Sequence, residues 1–122
     1  MKVYDCFMFF DENLVLELRL NLLDKYVDYF VIVESKYNHK GEAKKLNFDI
    51  KKFKKFEQKI IYIIYDQQPS DLYKFEKKDA KHDIDSKYIF NAYKRENAQR
   101  NLISQGLKNS SPDDLIIISD AD

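Results

Sequence analysis

The residues best placed to do chemistry sit at the end of an apolar run. Asp114-Leu115-Ile116-Ile117-Ile118-Ser119 leads directly into Asp120-Ala121-Asp122. Two carboxylates one residue apart point to the same side of an extended chain. Paired hard oxygens suit Mg²⁺ or Mn²⁺, and such a metal bridges a diphosphate. Ligands of open α/β sheets bind outside the carboxyl ends of the strands. Other apolar segments also run into acidic residues, at Asp11-Glu12, at Glu34 and at Asp66. That convergence favours a site, whereas a lone Asp-x-Asp is also an ordinary polar turn, because short motifs recur by chance. Only three arginines occur, Arg19, Arg95 and Arg100, so each is worth inspecting. Arg100 stands four residues after Glu96, the spacing of a helix ion pair. Cys6 lies in an apolar segment and reads as a small core residue. His39 and His82 lie far apart in polar stretches with no further ligand beside them, which argues against a zinc site.

The elements that must carry these residues can be read from periodicity. Val3 to Phe10 is a buried strand, and Asp11 or Asn13 can cap the helix that follows from about Leu14 to Tyr26. That helix has one stripe of Leu14, Val15, Leu18 and Leu22 and a second of Leu16, Leu20 and Leu23, which predicts cover on more than one side. Arg19 between the stripes calls for a buried partner or a function. Asp28 to Glu34 is a second strand, and Asn38 to Lys45 a loop. Asp49 to Lys59 carries Phe53, Phe56 and Ile60 at helical spacing, with a lysine-rich solvated face. Lys59 to Tyr65 is a third strand. Asp66 to Asp85 is a long polar connection of the kind that serves as a lid, a binding loop or a disordered segment. A helix from about Ser86 to Lys108 should turn Ile89, Tyr93, Ile103 and Leu107 inward, with Glu96 and Arg100 on the same side. Asp114 to Ser119 is the fourth strand.

Strands that are continuously apolar belong to a sheet covered on both faces, hence to a parallel α/β architecture. The 122 residues make one domain, with 44% apolar and 15% aromatic residues to fill a core. Twenty-one basic residues balance 21 acidic ones, which excludes whole-chain disorder and argues against a nucleic-acid binder. A single cysteine excludes an internal disulfide and fits a reducing compartment. No apolar run approaches the ~20 residues of a membrane span. Asp5 stands where a signal peptide would need its apolar stretch, so the expected location is the cytoplasm.

Several segments together resemble glycosyltransferase family 17, the β-1,4-mannosyl-glycoprotein 4-β-N-acetylglucosaminyltransferase-like enzymes. They are Tyr4-Asp5-Cys6-Phe7, Phe9-Phe10-Asp11-Glu12, Leu16-Glu17-Leu18-Arg19-Leu20, Val27 to Ser35, Gln99-Arg100-Asn101, and Asp114 to Asp122. The resemblance spans nearly the whole chain, the Asp66 to Asp85 connection excepted. It implies a GT-A, Rossmann-like open parallel sheet with the first strand between the second and fourth. It further implies a UDP-sugar donor, a glycan acceptor and Mn²⁺ or Mg²⁺. By the same resemblance, Asp120 and Asp122 are the metal residues, and Glu34, Arg100 and Asp120 contact the donor. Members of the family continue past the Asp-x-Asp into an acceptor half that holds the catalytic base. Residues 1–122 are therefore expected to be the N-terminal, donor-binding portion of a longer fold, with the base unidentified and self-association through uncovered surface. An inactive donor-binding module and a metal-dependent phosphotransferase with a strand-end aspartate nucleophile are the alternatives.

Overall fold

The computed structural model describes residues 1–121, and Asp122 lies outside them. Four strands, β1 (Val3–Phe9), β2 (Tyr29–Ser35), β3 (Ile60–Tyr65) and β4 (Leu115–Ile118), form one sheet in the order β3-β2-β1-β4. Every pairing is parallel. The expected α/β class and the central place of β1 between β2 and β4 are thus both observed. Parallel pairing needs crossovers, and these carry helix α1 (Asn13–Leu23), a 3₁₀ segment Ile50–Phe56, helix α2 (Lys81–Asn101) and a second 3₁₀ segment Leu102–Leu107.

Strand alternation divides the core into two layers. On one face Phe7, Phe9, Phe30 and Ile32 pack with Leu16 and Leu20 of α1 and with Phe53 and Phe56. On the other, Tyr4, Cys6, Val31 and Val33 pack with Ile103. Gly106 lets the second 3₁₀ segment lie directly on the sheet, since a Cβ there would stand 2.6 Å from Cγ1 of Val31.

Three expectations need correction. The stripe Leu14, Leu18 and Leu22 is exposed and only Leu16 and Leu20 are buried, so α1 is covered on one side. The long helix starts at Lys81, where Asp83 accepts a hydrogen bond from the Ala80 amide, and its α-helical part ends at Asn101. Most consequentially, Ile89 and Tyr93 face outward while Asn91 and Gln99 are buried. The inward stripe of α2 is polar: Lys87, Asn91, Arg95 and Gln99, four residues apart. Each has a partner across the interface. Lys87 reaches Asp79 and the Lys74 carbonyl, and Asn91 binds both the amide and the carbonyl of Tyr73. Arg95 reaches the His39 carbonyl and Gln68, and Gln99 donates to the Val33 carbonyl. The connection before α2 is therefore tied down along its length by α2 itself. Ile103, four residues after Gln99 and so next on the same side, is inward and apolar, as expected. Among the described residues no helix is long and apolar enough to cross a membrane.

Candidate functional site at the carboxyl edge of the sheet

Parallel strands deliver their carboxyl ends to one edge, and there a cleft of about 500 Å³ opens. Its walls are the end of β1 with Phe9, Phe10 and Glu12, the end of β2 with Ser35 and Tyr37, Gln99 of α2, and Asp120 and Ala121 after β4. The remaining wall is a short hairpin at 37–43, closed by a Tyr37–Ala43 bridge. Gly41 turns this hairpin with φ +87°, a conformation that a side chain disfavours. Asn38 organises the turn by accepting hydrogen bonds from the amides of Lys40 and Glu42. Arg95 and Gln68 fasten it to the body, through the carbonyls of His39 at 2.9 Å and Gly41 at 3.0 Å.

Asp120 lines the cleft with its side chain 74% exposed, and Arg100 stands beside it, Nη2 to Oδ1 3.8 Å. Arg100 also bonds Glu96 at 3.1 Å, so the helix pair and the approach to the strand-end carboxylate coexist. The structure thus brings Arg100 and Asp120 together. Asp122, the other expected metal residue, lies outside the described residues.

Glu34 shares this edge but points to the opposite face of the sheet from Gln99 and does not line the cleft. It is 0% exposed, and each carboxylate oxygen accepts two hydrogen bonds. Oε1 accepts from the Phe48 amide (3.0 Å) and the Tyr62 hydroxyl (2.7 Å), and Oε2 from Lys44 (2.8 Å) and the Asn47 amide (2.6 Å). Burial, and then the hydrogen bond to Glu34, push the Tyr62 hydroxyl well above its ordinary value, which keeps it a donor. Asn47 in turn donates to the Phe10 carbonyl at 2.7 Å. Glu34 therefore secures the floor beneath Phe10.

Arg19 has the buried partner that its place between two stripes demanded. It forms a bidentate pair with Asp5, at 2.8 and 2.7 Å, and stacks 4.4 Å from the Phe7 ring centroid. Its other donors reach the segment after β4. Cys6, next to Asp5, is fully buried, and desolvation followed by the Asp5 charge pushes its thiol up to about 12, so it is inert.

A divalent cation needs hard oxygens, and Mg²⁺-type sites use one or two carboxylates with water and phosphate completing the shell. The exposed Asp120 carboxylate meets that chemistry. Among the described residues no group of three or more His, Cys, Asp or Glu side chains gathers to hold a metal, at this edge or elsewhere. Gln68 and the 37–43 hairpin are cleft-building features that residue types and spacing did not single out, Gln99 was named only within the Gln99-Arg100-Asn101 resemblance, and Arg95 was noted without a role. The scarcity of arginine was the one available signal, for Arg95.

The family model described as Glycosyltransferase family 17 matches residues 1–122. No curated protein and no solved structure matches the chain.

Proposed function

The chain belongs to glycosyltransferase family 17, which implies a glycosyltransferase, and we propose that the carboxyl-edge cleft binds a UDP-sugar donor. The donor sugar in this reading is N-acetylglucosamine, and the acceptor is a glycan hydroxyl. The observation that carries the proposal is that Asp120, with Arg100 3.8 Å from it, lines a cleft of about 500 Å³ over the ends of β1, β2 and β4. Its volume falls in the usual range for small-molecule sites.

The cleft offers Phe10 and Tyr37 as apolar walls for a base, and Ser35 and Asn38 as polar groups beside them. Asp120, with Asp122, would hold Mn²⁺ or Mg²⁺. When bound, that cation supplies positive charge to a diphosphate and makes UDP a better leaving group. Arg100 is not itself a wall of the cleft but stands 3.8 Å from Asp120, from where its guanidinium could meet phosphate oxygens in a forked geometry. The 37–43 hairpin, fastened by Arg95, walls the cleft on the other side.

Calorimetry with UDP tests the reading. UDP should bind more tightly in Mn²⁺ than in chelator, Asp122→Ala should remove most of that difference, and Arg100→Ala should weaken binding in both conditions. The absence of UDP heat at about 1 mM nucleotide with Mn²⁺, in a chain extended beyond Asp122, would sink the proposal.

A further inference from the structure

The segment that carries Asp120 leaves the sheet at its edge strand. Beyond Ser119, whose amide bonds the Cys6 carbonyl at 3.1 Å, the main chain has left the strand ladder. A carboxylate on such a segment is held in place only if something else fixes its backbone. Arg19 does this from α1. Nη1 donates to the carbonyls of Asp120 (2.8 Å) and Ala121 (3.2 Å), and Nη2 donates to Oγ of Ser119. The remaining donors, Nε and the second Nη2 proton, go to Asp5. All five guanidinium protons are thereby used. Asp5 is 2% exposed and Arg19 14%, so both are shielded from water and the fork has one orientation. The stacking on Phe7 fixes its plane.

We infer that Asp5 and Arg19 are positioning residues for the donor site. Asp5 orients the guanidinium, and the guanidinium grips the 119–121 backbone by its carbonyls. With its carbonyl drawn toward Arg19, Asp120 presents its carboxylate to the cleft and to Arg100. Asp5 and Arg19 do not line the cleft, so they act through Asp120 and not on the donor. The catalytic meaning of this clamp rests on the UDP-sugar reading, whereas the clamp itself does not.

Lysine cannot replace Arg19, because an ammonium has three donors and no fork. Arg19→Lys keeps the charge opposite Asp5 and gives up part of the grip. Ser119→Ala removes one acceptor and leaves the ion pair intact. The test uses the full chain, with backbone ¹⁵N relaxation read without ligand and UDP calorimetry read with Mn²⁺ and with chelator. In the parent, order parameters at Ser119–Ala121 should match the strands, near ~0.85, and in Arg19→Lys they should fall toward ~0.6 at those residues alone. UDP affinity in Mn²⁺ should drop about 10–100-fold, as for other partners that orient a metal-binding group. Affinity in chelator should change far less, a split that a general loss of fold would not produce. Ser119→Ala should give a smaller shift in the same direction. Unchanged order parameters in Arg19→Lys overturn the inference. So does a loss of order across the whole sheet that tracks the loss of affinity. If the parent binds no UDP even in a chain extended beyond Asp122, the donor reading fails, and the relaxation data alone decide for or against the clamp.

Discussion

All four groups around the Glu34 carboxylate are hydrogen-bond donors: two amides, an ammonium and a phenol. A carboxylate is acceptor-only and satisfies them all, while the isosteric amide of glutamine would aim its own N–H₂ at two of them. We therefore expect Glu34→Gln to destabilise the domain by about 2–4 kcal/mol despite its unchanged size. Urea unfolding measures this, and a loss below about 1 kcal/mol would show that the hub reorganises cheaply. The arginines follow a related rule. Arg19 and Arg95 each bridge parts of the chain far apart in sequence, Arg19 to the 119–121 segment and Arg95 to the 37–43 hairpin. A planar fork with several donors suits that task better than an ammonium. Their rarity in a lysine-rich chain was the legible sign. Their partners were not, because backbone carbonyls carry no residue label.

At the scale of elements, α2 shows why hydropathy misplaced a helix. Its inward stripe is Lys87, Asn91, Arg95 and Gln99, and what it packs against is largely irregular backbone at 68–79 and in the hairpin, whose amides and carbonyls need partners. Polar side chains are the fitting solution there, and the apolar Ile89 and Tyr93 are left outside. The 3₁₀ segment after it meets a regular sheet and returns to apolar contact through Ile103 and the close approach at Gly106. Gly106→Ala should force Val31 aside and cost about 1–3 kcal/mol, the usual range for overpacking. Thermal and urea denaturation check this. Stability equal to the parent would mean that the 3₁₀ segment lifts off the sheet without penalty.

Over the whole molecule, apolar cover is uneven. The central strands β1 and β2 are buried, whereas Leu115, Ile117 and Ile118 of the edge strand β4 are 47%, 41% and 54% exposed. On α1, Leu14, Leu18 and Leu22 are 80%, 58% and 61% exposed. Exposed apolar area of this kind drives association, and an unpaired strand edge adds main-chain donors and acceptors. We expect the chain of 122 residues to self-associate. The weight-average mass in sedimentation should rise with concentration, and Leu18→Glu with Ile117→Lys should lower it. A monomer that persists over the whole range, with a high melting temperature, would count against this expectation.

The strands of this protein were readable from the chain because burial on both faces of a parallel sheet leaves unbroken apolar runs, as in Phe30 to Val33 and Ile60 to Ile64. The acidic residues that close those runs were readable for the same reason, since an apolar run has a visible end. Chain order and crossover handedness then restrict which edge the ends share, which is how Asp120 could be expected at the carboxyl edge of the sheet, where it does line the cleft. Only the tertiary structure decided which of those carboxylates face the cleft. Glu34 and Asp120 end neighbouring parts of one sheet, yet strand alternation turns Glu34 into a cage of donors under Phe10 and leaves Asp120 open beside Arg100. It also decided that α1 has one covered side and α2 a polar inner stripe. These outcomes depend on what each surface meets, and a surface's partner, unlike its own periodicity, is set by residues distant in the chain.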